Sequence, residues 1–316
     1  MMGVYLGPLE TLNISFSDYV KKQQLKKSAH MKNGVIDYAF NLDYELREKL
    51  NKIPGFVSFS KKVMITEVSK QMQLVNMEGL AVTPNQYSKI YNIGAECAKR
   101  LGIGIPNIYI INDTVMNAYT IAADDISPII VLHSGLLERM TLGELKCVIA
   151  HECGHIQNNH AIYKVPISLL LNSAGSFSAI FSVANTVLMQ LWTRAGEITA
   201  DRAGMICADD FNDAFNVNVK LMSGGALNNA NDAINIEELR KQLEQSLHNP
   251  AKLYEAFYDH PSSLRRIFAN FEFEKCEVLY AWRPDLRKDD DKLLSIDEVN
   301  KKCQSLVNII DNKGVK

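Results

Sequence analysis

One stretch constrains this chain more than any other: Thr141-Leu-Gly-Glu-Leu-Lys-Cys-Val-Ile-Ala-His-Glu-Cys-Gly-His-Ile-Gln-Asn-Asn-His160. Thr141 with Glu144 predicts a capping box, in which two side chains satisfy amide hydrogens left unbonded at a helix start. Leu145, Val148, Ile149 and Ile156 recur at helical spacing. His151 and His155 are four apart, so a helix stacks them on one face, where two imidazoles can share a metal ion. Glu152 stands beside them, within reach of a water at an open coordination position. Gly154 inside this helix costs about 1 kcal/mol relative to alanine, which predicts a close approach by something else.

The 316 residues, 47% hydrophobic and 22% charged, describe a folded chain with a sizeable core. A net charge of −2 gives no reason to expect a nucleic-acid partner. Cys97, Cys147, Cys153, Cys207, Cys276 and Cys303 form no Cys-x-x-Cys pair, which suggests free thiols in a reducing compartment. The first residues show neither a basic segment nor a long apolar run, so no export signal is read and a cytoplasmic location is expected.

Residues 10–53 read as helix, in two parts broken near Asn33-Gly34 and ending at Pro54-Gly55. Lys21, Lys22, Lys26 and Lys27 read as a solvated face. Thr83-Pro84 reads as a helix start, the helix running to about Leu101. Asn107–Ile111, Ala118–Ala122 and Ile129–Leu132 read as three short strands, a small sheet beside the metal helix whose edge could pair with an extended peptide. Val165 to Thr193 holds 29 residues without a charge. Two crossings of a bilayer need about 20 residues each plus a turn, and one crossing would separate His155 from any later ligand. The stretch therefore reads as a helical hairpin on the core, able at most to touch a membrane surface.

Catalytic zinc takes three protein ligands and a water. His160, five residues after His155, would point about 140° away on the same helix. The metzincin spacing fails, with Asn158 and Ala161 at the positions of its glycine and third histidine. No Asp or Glu occurs from 153 to 196, and the first is Glu197, followed by Asp201 on the same face of a second helix. Glu197 can complete a His-His-Glu site, and Asp201 can accept the outer N–H of a ligand histidine. The plainer reading pairs Asp201 with Arg202.

Taken together, these motifs resemble the M48 family of zinc metallopeptidases, over about residues 80 to 270. Asn117-Ala118-Tyr119 is similar to the family's substrate-binding edge, Val131–Leu137 to its strand and following helix start, and His260-Pro261-Ser262 with Arg266 to its C-terminal element. The resemblance implies a mainly helical α+β, zincin-like fold with a small three-stranded sheet. It implies one zinc per chain on His151, His155 and Glu197, and His260 beside the metal as an oxyanion donor. Asp201 carries a proton-donor role in some family assignments, although support of a ligand histidine is the more natural chemistry. The expected organisation is an N-terminal helical region (1–80), a peptidase domain (81–272) and a C-terminal extension (273–316). The expected activity is that of a metalloendopeptidase acting on peptides or unfolded proteins, with Glu152 as general base. The rival readings are a zinc-stabilised, non-catalytic chaperone-like protein and a membrane-surface binder using 165–193 and the Lys21–Lys27 patch. An intact Glu152 speaks against the first, because a structural zinc site needs no general base.

Overall fold

The computed structural model describes residues 30–32, 34–123, 126–172, 183–225, 234–248, 262–288 and 292–307. The first described elements correct the helical reading at residues 31–36, while residues 41–51 are helical as expected. Strands β1 (Met31–Lys32) and β2 (Val35–Ile36) pair antiparallel, Met31 opposite Ile36. Gly34, at φ 80°, supplies the left-handed backbone that a two-residue hairpin loop requires. Gly34 thus lies in a hairpin connection between the two strands; Asn33 and the residues up to 29, with the first part of the helical reading, lie outside the described set.

Helix α1 (Asn41–Asn51) buries Leu42, Leu46 and Leu50, and Asp43 beside them. Helix α2 (Phe56–Glu78) follows the Pro54-Gly55 turn. A strand absent from the sequence reading, β3 (Leu80–Val82), precedes Thr83-Pro84. That pair opens a turn and not a helix: the Gln86 amide donates to the Thr83 carbonyl and the Thr83 hydroxyl accepts from the Asn85 amide. Proline's fixed φ serves the second position of a turn as well as a first helical turn. Helix α3 begins at Ser88 and runs to Leu101.

Strands β4 (Asn107–Ile111), β5 (Ala118–Ala123) and β6 (Ile126–His133) complete a sheet ordered β3-β4-β6-β5. β4 and β6 are parallel, and β3 and β5 are antiparallel to their neighbours. Their apolar runs are explained by burial on both faces. Met64, Val68 and Val75 of α2 cover Tyr109, Ile121, Ile129 and Val131. Ile108, Ile110, Ile130 and Leu132 face the larger core with α3 and with the metal helix α5 (Leu142–Gln157), which follows the short α4 (Ser134–Arg139). The architecture is mainly α with a small mixed sheet, one strand larger than the three expected.

Thr141 and Glu144 make both bonds of the capping box at the start of α5. Helices α6 (Ala161–Asn172) and α7 (Val183–Cys207) flank residues 173–182, which lie outside the described set. Among the described residues no helix is long and apolar enough to cross a membrane. α7 crosses α5 where side chains are small: a Cβ on Gly154 would stand 2.7 Å from the Ala203 Cβ and 3.1 Å from the Ala200 Cα. The close approach that Gly154 allows is therefore that of α7. Gly154→Ala is expected to destabilise the metal-stripped protein by about 1–3 kcal/mol through overpacking, which outweighs alanine's helix propensity. Denaturant unfolding checks this; unchanged or higher stability would contradict the crossing.

Helices α8 (Phe211–Ser223), α9 (Ile236–His248), α10 (Ser263–Phe273), α11 (Glu277–Trp282) and α12 (Ile296–Val307) follow. The largest core runs from Ile36 to Val307, so the described parts of both ends pack into one body with the centre. The Trp282 indole donates to Asp37, and Arg265 donates to the Leu306 carbonyl. All six cysteines are free and buried.

Candidate metal centre

The tight crossing sets α5 and α7 face to face. His151 Nε2 lies 3.4 Å from Glu197 Oε2, and His155 Nε2 lies 3.4 Å from Glu197 Oε1. The two imidazoles meet edge to face, their centroids 4.7 Å apart. Among the described residues these three form the one group of His, Cys, Asp or Glu placed to hold a metal ion, with a donor atom from each within 4.8 Å of the others. Two imidazole nitrogens and a carboxylate oxygen suit zinc, and three protein ligands leave a fourth tetrahedral position for reactants.

Each imidazole is held from behind. His151 Nδ1 lies 2.9 Å from Asp201 Oδ1. Arg266, on α10, grips Asp201 through Nε to Oδ2 at 2.7 Å and through its second nitrogen to Oδ1 at 2.5 Å. Burial alone would raise the Asp201 carboxyl, but the Arg266 guanidinium and the hydrogen bond to His151 hold it below the usual carboxylate value. An ionised, doubly bonded carboxylate suits orienting His151 better than giving up a proton. Burial would lower His151, yet its bonds to Asp201 and Glu197 outweigh that and raise it to about 9. His155 is pushed the other way, well below the ordinary histidine value, first by burial and then by the Lys164 ammonium.

Four residues that are not among the expected site residues shape it, His160 among them. Thr120, on β5, donates to Glu152 Oε2 at 2.6 Å, which ties the glutamate to the sheet edge. Lys164, on α6, reaches Glu197 Oε1 at 2.5 Å and His155 Nε2 at 3.3 Å. His160 is not on α5: the helix ends at Gln157, and Asn159 at φ 57° folds the chain back. Its Nδ1 comes to 2.7 Å from His155 Nδ1, while its Nε2 lies 2.8 Å from Asp43 Oδ2. The Asn158-Asn159 pair was the available signal, since asparagine favours helix C-termini and left-handed backbone. Nothing local marks Asp43, which differs from its neighbours on α1 only by being polar in an apolar stripe.

Asn117, Ala118, Tyr119 and Thr120 line a cavity of about 630 Å³ together with His151, Glu152, His155, Glu197, Asp201 and Arg266. β5 is the outer strand of its sheet on this side. His260 lies outside the described residues.

A His-Glu-x-x-His helix crossed by a second helix that adds a glutamate defines a centre of the metallopeptidase class. The chain belongs to peptidase family M48, whose sequence model matches residues 84–270, more than half of the chain. It is 32% identical over 210 residues to the plastoglobule-localized metallopeptidase 48, chloroplastic, of Arabidopsis thaliana, a match covering 65% of this chain and 60% of that protein. It is 30% identical over 131 residues to a protease HtpX homolog of Thermoanaerobacter pseudethanolicus, covering 42% of each. The crystal structure of S. mikatae Ste24p aligns at 18% identity and a TM-score of 0.43, over 72% of this chain and 62% of that one. The chain thus spans about 60% or less of the length of these curated relatives. The expected cytoplasmic location is corrected by the same comparison, since the Arabidopsis relative is chloroplastic by name.

Proposed function

We propose that this chain is a zinc-dependent endopeptidase that hydrolyses peptide bonds of extended or unfolded polypeptides. The observation that carries this reading is the placement of Glu152 and the His151–His155–Glu197 donor set in one cavity beneath the outer strand β5. A structural zinc site is closed by four ligands and needs no general base; here three donors face a cavity that also holds a carboxylate.

His151 and His155 would hold zinc through Nε2 and Glu197 through its carboxylate. When bound, zinc supplies a Lewis acid that polarises the scissile carbonyl and makes an attacking water more acidic. Thr120 occupies Glu152 Oε2, so Oε1 is the atom placed to take the water's proton and pass it to the leaving amine. A substrate strand pairing with β5 would carry its carbonyl past these groups, main-chain bonds giving affinity and side-chain pockets preference.

The test is zinc content measured together with casein digestion. One zinc per chain and digestion abolished by a chelator are expected; a zinc-loaded protein with no digestion of casein or unfolded substrates would support the non-catalytic reading. Zinc must also displace the proton that His151 retains up to about pH 9. Apparent zinc affinity should therefore climb about tenfold per pH unit through the neutral range and flatten near that value. Competition titrations at stepped pH check this slope, and a flat profile between pH 7 and 8.5 would remove the His151 proton from the account.

A further inference from the structure

We propose that Asp43 and His160 form a two-step relay that fixes the tautomer of His155, presenting its Nε2 lone pair to the metal. Asp43 is a positioning residue that lies outside the family-matched segment 84–270. The inference rests on the proposed function in that it takes His155 to be a ligand.

The hydrogen bonds determine the protons from both ends. A carboxylate only accepts, so His160 Nε2, at 2.8 Å from Asp43 Oδ2, carries hydrogen. His155 Nδ1 and His160 Nδ1 are 2.7 Å apart, so one of the two carries the hydrogen and the other accepts it. At the other end, the Lys164 ammonium has only donors and lies 3.3 Å from His155 Nε2, so that nitrogen is the acceptor. With Nε2 the acceptor, the ring hydrogen of His155 stands on Nδ1 and is donated to His160, which passes its own Nε2 hydrogen to Asp43: this is the tautomer of His155 that can ligate through Nε2.

The surroundings hold the relay rigid. Asp43 and His160 are buried, at 2% and 1% exposure. Thr199, on α7, donates to Asp43 Oδ2 at 2.8 Å and accepts from the Phe40 amide. Arg47 donates to the Asn158 carbonyl at 2.6 Å, and the Tyr38 hydroxyl to Gln157, so α1 and the segment before it clamp the end of α5. The His160 ring lies against Gly196, where a Cβ would stand 3.3 Å from its Cε1, and edge-on to Trp192. His151 has one carboxylate behind it, Asp201; His155 reaches its carboxylate through a second imidazole. Partners behind a ligand histidine typically change metal affinity 10–100-fold when removed.

The experiment measures zinc affinity of the full chain by competition with a chromophoric chelator, and melting of the same proteins after metal stripping. Asp43→Leu/His160→Phe replaces the buried polar pair with apolar groups of similar size, which leaves no uncompensated charge. Its zinc dissociation constant should rise about 10–100-fold. His160→Gln should stay near wild type, because its Oε1 can accept from His155 while its Nε2 donates to Asp43. A purely structural role would lower the melting temperature and leave the zinc constant unchanged, and that result overturns the relay. Should the double variant fail to fold, imidazole ¹⁵N spectra of the zinc-loaded wild type decide: Nδ1–H on His155 with Nε2–H on His160 supports the relay, and the opposite pair overturns it. A wild type that takes up no zinc overturns the proposed function and the relay together. A wild type that binds zinc while Asp43→Leu/His160→Phe binds it equally well overturns the relay alone.

Discussion

Glu152→Gln is expected to keep zinc bound and to lower peptide hydrolysis by about 10²–10⁴-fold, the usual contribution of a general base. The substitution is nearly isosteric, so the Thr120 hydroxyl can still donate to the remaining side-chain oxygen, and the link between α5 and β5 survives. What is lost is the second carboxylate oxygen, the atom placed to accept a proton. Both kcat and kcat/KM should fall together with little change in KM, because the proton transfer matters only on the way to the transition state. Zinc content measured on the same preparation separates loss of the base from loss of the metal. Turnover equal to wild type on a peptide that the wild type cleaves would remove Glu152 from the chemistry.

Much of this centre was legible because its determinants are local. The capping box, the apolar stripe and the four-residue histidine spacing lie within one short segment, and helical geometry alone turns them into a face. Glu197 could be read by elimination, since it is the first acid after a long interval without one. Strands β4 to β6 stood out as apolar runs between turn residues. Where the reading went astray, one local signal served two structures. Pro84 fits a turn as well as a helix start, and Asn33-Gly34 fits a hairpin loop as well as a helix break. Continuing α5 past Gln157 would point His160 away from His155, but the helix ends there and the following turn brings the ring back. Asp43 was beyond reach, since it meets His160 from 117 residues away and only the packing of α1 on α7 places it. Lys164 reads as an ordinary helix-surface lysine until α6 is seen to run beside Glu197.

Arg266→Met should lower the unfolding free energy by about 3–5 kcal/mol, the cost typical of breaking a buried ion pair from one side. The sequence offered this arginine only through resemblance to a family element; the structure gives it a physical task. Asp201 is buried on α7 and takes both of its strongest bonds from the guanidinium, at 2.7 and 2.5 Å. Methionine can fill much of the arginine volume but offers no donor. His151 would then be the remaining partner of that carboxylate, and it has to serve the metal as well. Removing the stranded charge should repair the loss: Arg266→Met/Asp201→Asn is expected to recover a large part of the stability, a coupling that denaturant unfolding of the two single variants and the double resolves as a cycle. Zinc binding should not recover with it, because the asparagine amide can turn a donor toward His151 Nδ1 and favour the tautomer whose Nε2 carries hydrogen. Stability returning while zinc affinity stays low would separate the two tasks of the pair, holding α10 on α7 and orienting His151. If Arg266→Met costs less than about 1 kcal/mol, the worth typical of an exposed pair, then Asp201 is not held by Arg266 and the support proposed for His151 lacks its anchor.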